Sequence, residues 1–357
     1  KPDRRKNKDE DLGIFHAAMP GGKTIPLLKT LLTSACERNC NYCPFRAGRN
    51  FRRTTFSPDE MAKTFTDMHR AGLVEGLFLS SGIIGGGVKT QDKINATAEI
   101  LRQKYHFRGY VHLKIMPGSQ KDQVEHAMGL ANRLSVNLEA PNGSRLHKLA
   151  PLKKFELELL RPLRWIEEIR IALPPQQGWN GRWPSSTTQF VVGGGDETDL
   201  ELLSTSEFLF RKMRLQRTYY SAFNPVPDTP LENRPAEDPL RQHRLYQASF
   251  LFRDYGFGLE ELPFTPDGNL PRETDPKLAW AQLNLQYEPL EVNYAPREEL
   301  LRVPGIGPQS ATTIIQARRQ GTLREMRDLR KLGVRTAPMG PFVLLDGKRP
   351  TRQLRLF

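Results

Sequence analysis

All three cysteines of this 357-residue chain fall within eight positions, in Cys36-Glu37-Arg38-Asn39-Cys40-Asn41-Tyr42-Cys43. A disulfide framework uses an even number of cysteines spread along the chain, so the fold has to rest on an ordinary hydrophobic core. Clustered thiols point instead to a metal site. Three thiolates can ligate three irons of a [4Fe–4S] cubane and leave the fourth iron open. A structural zinc ion wants four ligands; this stretch offers three, and His16 and His69 lie in unrelated contexts.

The hydrophobic fraction of 38% is low but adequate for a core. No apolar run approaches the ~20 residues needed to span a bilayer. The basic start, Lys1 to Lys6, is not followed by the apolar region of a secretory signal. The expectation is a soluble, cytoplasmic protein with no membrane partner, trimmed at its start because the initiator Met is missing.

Short apolar runs alternate with amphipathic stretches from 25 to 264. Strands are expected at 26–32, 76–79, 109–115, 134–138, 187–192 and 217–222, and helices at 58–71, 91–105, 119–132, 152–168 and 198–213. Such alternation argues for a parallel sheet with right-handed crossovers, and six units suit a partial (β/α)6 TIM-like barrel. Residues 238–255 read as a closing helix after a proline-rich return, and 263–276 as a turn-rich boundary. The expected division is a basic extension (1–24), the α/β barrel (25–264), a linker with a short helix at 277–286 (265–291), a small all-α module (292–346) and a tail (347–357).

The segment Cys36 to Cys43 resembles the motif of the radical S-adenosylmethionine (SAM) superfamily, including the aromatic residue just before the last Cys. The resemblance implies one [4Fe–4S] cluster at Cys36, Cys40 and Cys43, SAM chelated at the open iron, and an external electron donor. Reductive cleavage of SAM would then give a 5′-deoxyadenosyl radical. Tyr42 would pack near the SAM adenine. Leu77-Phe78-Leu79-Ser80-Ser81-Gly82 falls where the superfamily has its Gly-Gly-Glu-like motif for the SAM amino group. The Glu is missing here, so backbone carbonyls or the Ser80 and Ser81 hydroxyls would serve.

Ser135, Asn137 and Glu139 share one strand face by period two. By resemblance they contact the SAM ribose or methionyl part; the alternative is exposure at a strand end. Gln189 to Val191, ahead of Gly193-Gly194-Gly195, resembles the fifth-strand motif that packs on adenine. His112 and Lys114 also alternate on one face, as candidate substrate or SAM contacts. Arg46, Arg49, Arg52 and Arg53 follow the cluster loop and either neutralise substrate phosphates or form a solvated basic loop. With no fourth cysteine in this sequence, a second cluster and a thiol hydrogen donor are not expected. Any donor would be a tyrosine, a SAM-derived group or a partner, with Tyr219 and Tyr220 as candidates that could equally be core residues.

Net charge is +13, which favours a polyanionic partner. From Ala295 onward thirteen Lys and Arg stand against five Asp and Glu, about +8 of that total. Here Leu300-Leu-Arg-Val303-Pro304-Gly305-Ile306-Gly307 resembles a helix-hairpin-helix motif, and Met326 to Val334 a degenerate second copy. Glycines permit the tight turn, and a helix N-terminus offers N–H groups to a phosphate. The candidate DNA contacts are Val303, Pro304, Gly305, Ile306, Gly307, Gln309, Ser310, Arg318 and Arg319. They imply a sequence-nonspecific duplex partner.

The last five residues resemble the sliding-clamp-binding pentapeptide, with Gln353, Leu354, Leu356 and Phe357 as anchors. The order of motifs across nearly the whole chain resembles the DNA modification/repair radical SAM family often encoded beside a uracil-DNA-glycosylase-like protein, a further candidate partner. The alternatives are an RNA-modifying radical SAM enzyme and a non-catalytic iron–sulfur nucleic-acid binder.

Overall fold

The computed structural model describes Asp9 and residues 12–18 and 22–350; the clamp-peptide residues Gln353, Leu354, Leu356 and Phe357 lie outside them. The described chain divides into two compact units. One holds the residues up to Glu197 together with Phe208–Glu237, the other Thr198–Glu207 and the residues from Asp238 onward.

In the first unit, strands β1 (Ile14–Ala18), β2 (Thr24–Leu31), β3 (Gly76–Ser80), β4 (Tyr110–Lys114), β5 (Arg133–Ser135), β6 (Ser185–Val192) and β7 (Arg217–Ala222) form one sheet in sequence order. Strands β2 to β7 are parallel, and helices cross over between them. These are α1 (Pro58–Arg70), α2 (Gly86–Gln103), α3 (Lys121–Leu130), α4 (Gly143–Leu149), α5 (Arg161–Ala172) and α6 (Asp199–Met213), whose residues up to Glu207 are grouped with the second unit. The (β/α)6 expectation therefore holds.

Residues 1–24, expected only as a basic extension, also supply a strand: β1 runs antiparallel to β2, with Ile14 opposite Leu28. Its pattern is weak because only one face is buried, and its structure comes from the partner edge. At about 4.8 Å per strand a flat seven-stranded sheet would be nearly 30 Å wide. Yet Phe15 and Ala17 from β1 and Tyr219 from β7 line the same small cavity, so the sheet curls into an open partial barrel.

Local chemistry sets the ends of the elements. Ser57 and Glu60 form a reciprocal capping box at the start of α1. The second helix begins five residues before the expected 91, because Gly85 and Gly86 turn the chain at φ +69° and +92°. A Cβ at Gly87 would stand 2.0 Å from the Pro117 carbonyl, so only glycine lets this helix end abut the segment after β4. The expected helix at 152–168 opens instead with a π-turn at Phe155–Leu160.

The expected barrel boundary after 264 falls earlier, near Glu237. Helix α7 (Pro239–Asp254) belongs with the second unit, where Arg241 Nε pairs with Asp199 at 2.7 Å and Arg244 donates to the Arg272 carbonyl at 2.8 Å. That unit continues through α8 (Pro276–Asn284), α9 (Arg297–Leu300), α10 (Pro308–Arg318) and α11 (Met326–Lys331). Its core gathers Val292, Leu300, Val303, Ile306, Ala311, Ile314, Leu329 and Phe342. It is not purely helical: β8 (Leu290–Glu291) pairs in parallel with β9 (Val343–Leu344) and ties the two ends of the module together.

Candidate active site

The loop after β2 carries Cys36, Cys40 and Cys43, and all three line a cavity of about 250 Å³ at the C-terminal ends of the parallel strands. Parallel barrels build their sites at that end. Gly82, after β3, lets the loop sit there: a Cβ on it would lie 2.1 Å from the Ala35 carbonyl, while its own N–H donates to Thr33 at 2.7 Å. Among the described residues no three His, Cys, Asp or Glu side chains converge as the ligands of a single metal ion. A cubane needs no such convergence, since each thiolate takes a different iron.

The loop's backbone suits sulfur. Cys36 Sγ accepts from the Arg38 and Ile83 N–H groups, and Cys43 Sγ from Phe45, each at 3.4 Å. Such hydrogen bonds help tune the potential of a cluster. Burial raises the Cys40 thiol and pushes Cys43 up to about 11, so metal must displace the protons from thiols that are otherwise neutral. Ser81 Oγ, buried beside the thiols, has no hydrogen-bond partner among the described residues. The donor set and this orphan hydroxyl fit a cluster with a bound ligand.

In the same cavity, Lys153 Nζ meets Glu139 at 3.1 Å, with both side chains nearly buried. Burial opposes both charges, yet Lys153, then Lys114, holds the Glu139 carboxyl below its ordinary value, and Glu139 raises Lys153. Tyr42 lines the same cavity; burial, then Glu139, raises its phenol, which hydrogen-bonds to that carboxylate. Lys114 also faces in, and burial lowers it to about 8.

Most of the strand-end candidates are brought together. Ser80, Ser81, Gly82, Asn137, Glu139, Gln189 and Val191 all line the cluster cavity. Ser135, Asn137 and Glu139 do face inward, although regular strand ends at Ser135 and Glu139 sits at φ +64°, bridged to Phe190. Ser135 and His112 lie in a second cavity of the lumen. The amides of Gly193 and Gly195 are taken by the Glu197 carboxylate, at 2.5 and 3.0 Å.

Arg46 and Arg49 are not brought to the cavity. They donate to the Asn39 and Pro44 carbonyls, while Arg53 reaches the carbonyls of Ser34, Phe45 and Arg46, so the loop arginines brace its backbone. The arginine that lines the cavity is Arg38, paired with Glu158 at 2.7 Å. Tyr219 faces the lumen, whereas Tyr220 is core, stacked on Phe190. Sequence reasoning missed Lys153 and Arg38. Lys153 carries no local mark beside Lys148 and Lys154, and Arg38 sits inside the motif itself.

A partial parallel barrel with three thiolates and polar ligands at its C-terminal mouth defines an iron–sulfur enzyme that opens one cluster position to a cofactor. The chain belongs to the radical SAM superfamily: the model of the family described as "Radical SAM superfamily" matches residues 30–209. That superfamily uses a [4Fe–4S] cluster and SAM. No curated protein matches the chain.

Among solved structures, methylornithine synthase is 15% identical with a TM-score of 0.48, covering 64% of this chain and 62% of its own. The [FeFe]-hydrogenase maturase HydG from Carboxydothermus hydrogenoformans is 15% identical, TM-score 0.47, covering 63% and 50%. SuiB from Streptococcus suis, bound to precursor peptide SuiA, is 13% identical, TM-score 0.46, covering 70% and 50%. The chain thus spans 50–62% of the length of these structures.

Proposed function

We propose that this radical SAM enzyme modifies or repairs DNA, with residues 292–346 as a nucleic-acid-binding module. A cluster and SAM bound there would supply a 5′-deoxyadenosyl radical by reductive cleavage of SAM. The chain's own residues prepare the site for it. Cys36, Cys40 and Cys43 would hold the cluster, and the Ser80, Ser81 and Gly82 turn would take up the SAM amino group. Asn137, Glu139, Gln189 and Val191 would orient the rest of SAM, with Lys153 keeping Glu139 ionised and acceptor-only.

The observation that carries the DNA reading is the surface of the C-terminal module. Arg297, Arg319, Arg324, Arg327, Arg330, Lys331 and Arg335 are all exposed around one small core, and Lys348 and Arg349 just beyond the module are exposed too, as an electrostatic footprint for a polyanion would be. The turn between α9 and α10 has Gly305 at φ +90°, where a Cβ would stand 2.3 Å from the Arg335 carbonyl. Val303, Pro304 and Ile306 are buried supports of that turn. Gly307, Gln309 and Ser310 stand at the N-terminal end of α10, where N–H groups favour phosphate. Arg318 is not an outward contact: it donates to the Val292 and Ala295 carbonyls at 2.9 and 2.7 Å.

Comparative binding of duplex DNA and tRNA across a salt series tests this reading. DNA should bind more tightly, with affinity falling steeply as salt rises. Equal or better tRNA binding would replace DNA with RNA as the substrate. An external electron donor, a uracil-DNA-glycosylase-like protein and a sliding clamp acting through residues 353–357 belong to the same proposal.

A further inference from the structure

Two buried polar atoms in the barrel, His112 Nε2 and Ser135 Oγ, have no hydrogen-bond partner among the described residues. Their residues are 8% and 5% exposed. A buried polar group left in that state costs about 1–3 kcal/mol, so each calls for an explanation. Both line a lumen cavity of about 180 Å³, distinct from the cluster cavity but sharing Asn137 and Gln189 with it. A molecule held there would lie beside the place where SAM is oriented.

The lining has a definite chemistry. The Phe78 and His112 rings stack at 4.1 Å and 9°, and Tyr110 and Tyr219 add aromatic wall. Burial, then the Arg133, Lys114 and Lys29 charges, holds His112 well below the ordinary histidine range, so its ring carries one donor and one acceptor nitrogen. Ser135, Asn137 and Gln189 can likewise both donate and accept.

A simple anion would not use that edge, and an aliphatic group would leave it unsatisfied. A planar heterocycle matches both wall and edge. The volume equals about six waters at roughly 30 Å³ each, which is room for one ring system and not for a base pair. Lys29 and Arg133 line the same cavity. Among the described residues Lys29 makes no ion pair; its ammonium lies over the Phe15 and Phe78 rings at 5.3 and 5.9 Å.

We propose that this lumen cavity is a nucleobase pocket that receives one base everted from a duplex, reads its edge with His112, Ser135, Asn137 and Gln189, and meets its phosphate with Lys29 and Arg133. The proposal rests on the DNA reading above and narrows it to chemistry on a single everted nucleotide. Eversion costs a few kcal/mol, least for a mismatched base, so the pocket should favour duplexes with one weakly paired position.

The test uses the reconstituted holoprotein and four kinds of probe: matched duplexes, duplexes with one central mismatch, the four deoxynucleoside 5′-monophosphates, and inorganic phosphate. At least one mismatch should bind about tenfold more tightly than the matched duplex. S135A and H112L should each cut that preference several-fold while leaving matched-duplex affinity unchanged and the unfolding midpoint no lower. S135A is the milder change and guards against misfolding in H112L. Matched-duplex binding with no mismatch preference, or a preference that both variants keep, overturns the pocket and spares the DNA reading. Phosphate competing as well as the nucleotides also overturns it. Mononucleotide binding that S135A weakens, in a protein without duplex affinity, keeps the pocket and removes the DNA reading.

Discussion

The barrel lumen and the C-terminal unit handle buried polarity in opposite ways. In the barrel, Ser81, His112 and Ser135 each keep a buried polar atom without a partner, and all three line cavities. In the C-terminal unit no such atom occurs among the described residues. Arg302 there reaches Glu261 at 2.8 Å, Arg318 reaches two carbonyls, and Lys277 donates to the Ile306 carbonyl at 2.6 Å. The first region holds polar groups ready for a guest; the second uses its internal ones to fix a shape and leaves its other cations outside.

The largest effect expected on that contrast comes from the thiols. Cys40→Ala should reduce iron per chain to near zero after anaerobic reconstitution and SAM cleavage to background, with the second unit's unfolding transition unchanged. Iron retained at wild-type level would remove Cys40 from the cluster.

Next come two buried ion pairs, Lys153–Glu139 in the first unit and Arg241–Asp199 in the second. Breaking one by removing a partner costs about 3–5 kcal/mol. Arg241→Met should fall at the upper end, since it strips Asp199 inside packed structure. Lys153→Met should fall at the lower end, because Glu139 then faces a cavity that water can enter. Denaturant unfolding resolves the two, and the reverse order would break the contrast.

Gly82→Ala should cost about 1–3 kcal/mol, the range for overpacking, because the new methyl meets the Ala35 carbonyl. Urea titration measures the cost, and lowered cluster occupancy should accompany it. No change in either would show that the cluster loop yields freely.

The last effect is a slope with pH, small at any one step. Burial lowers Lys277 from 10.5 to about 7, so between about pH 7 and 10 the unfolded chain holds a proton that the folded one lacks. Stability therefore rises with pH across that window, by at most about 1.4 kcal/mol per unit, and this contribution is absent below it. Lys277→Met should flatten the slope in urea midpoints; an unchanged slope would assign it to other groups.

Much of this was legible in the sequence because it depends on neighbours in the chain. The thiol spacing, the capping box at Ser57 and the period-two face of Ser135 and Asn137 are local patterns, and the six parallel strands fell within a few residues of their expected places. Strand β1 was not legible, since its structure comes from pairing with β2. Nor was the early start of α2, where glycines hid a helix end packed on Pro117.

The sequence by itself determined that these residues carry one set of three thiols and that about +8 of charge gathers from Ala295 onward. Only the tertiary structure decided which cations serve the site. Lys153 and Arg38 reach the cluster cavity, while Arg46 and Arg49 are tied to backbone carbonyls. The curl of the sheet brings Lys29, His112, Ser135 and Tyr219, from four strands far apart in sequence, around one cavity. Side-chain spacing along a strand is fixed by the backbone, but convergence across strands is fixed by closure of the sheet, and no local pattern records it.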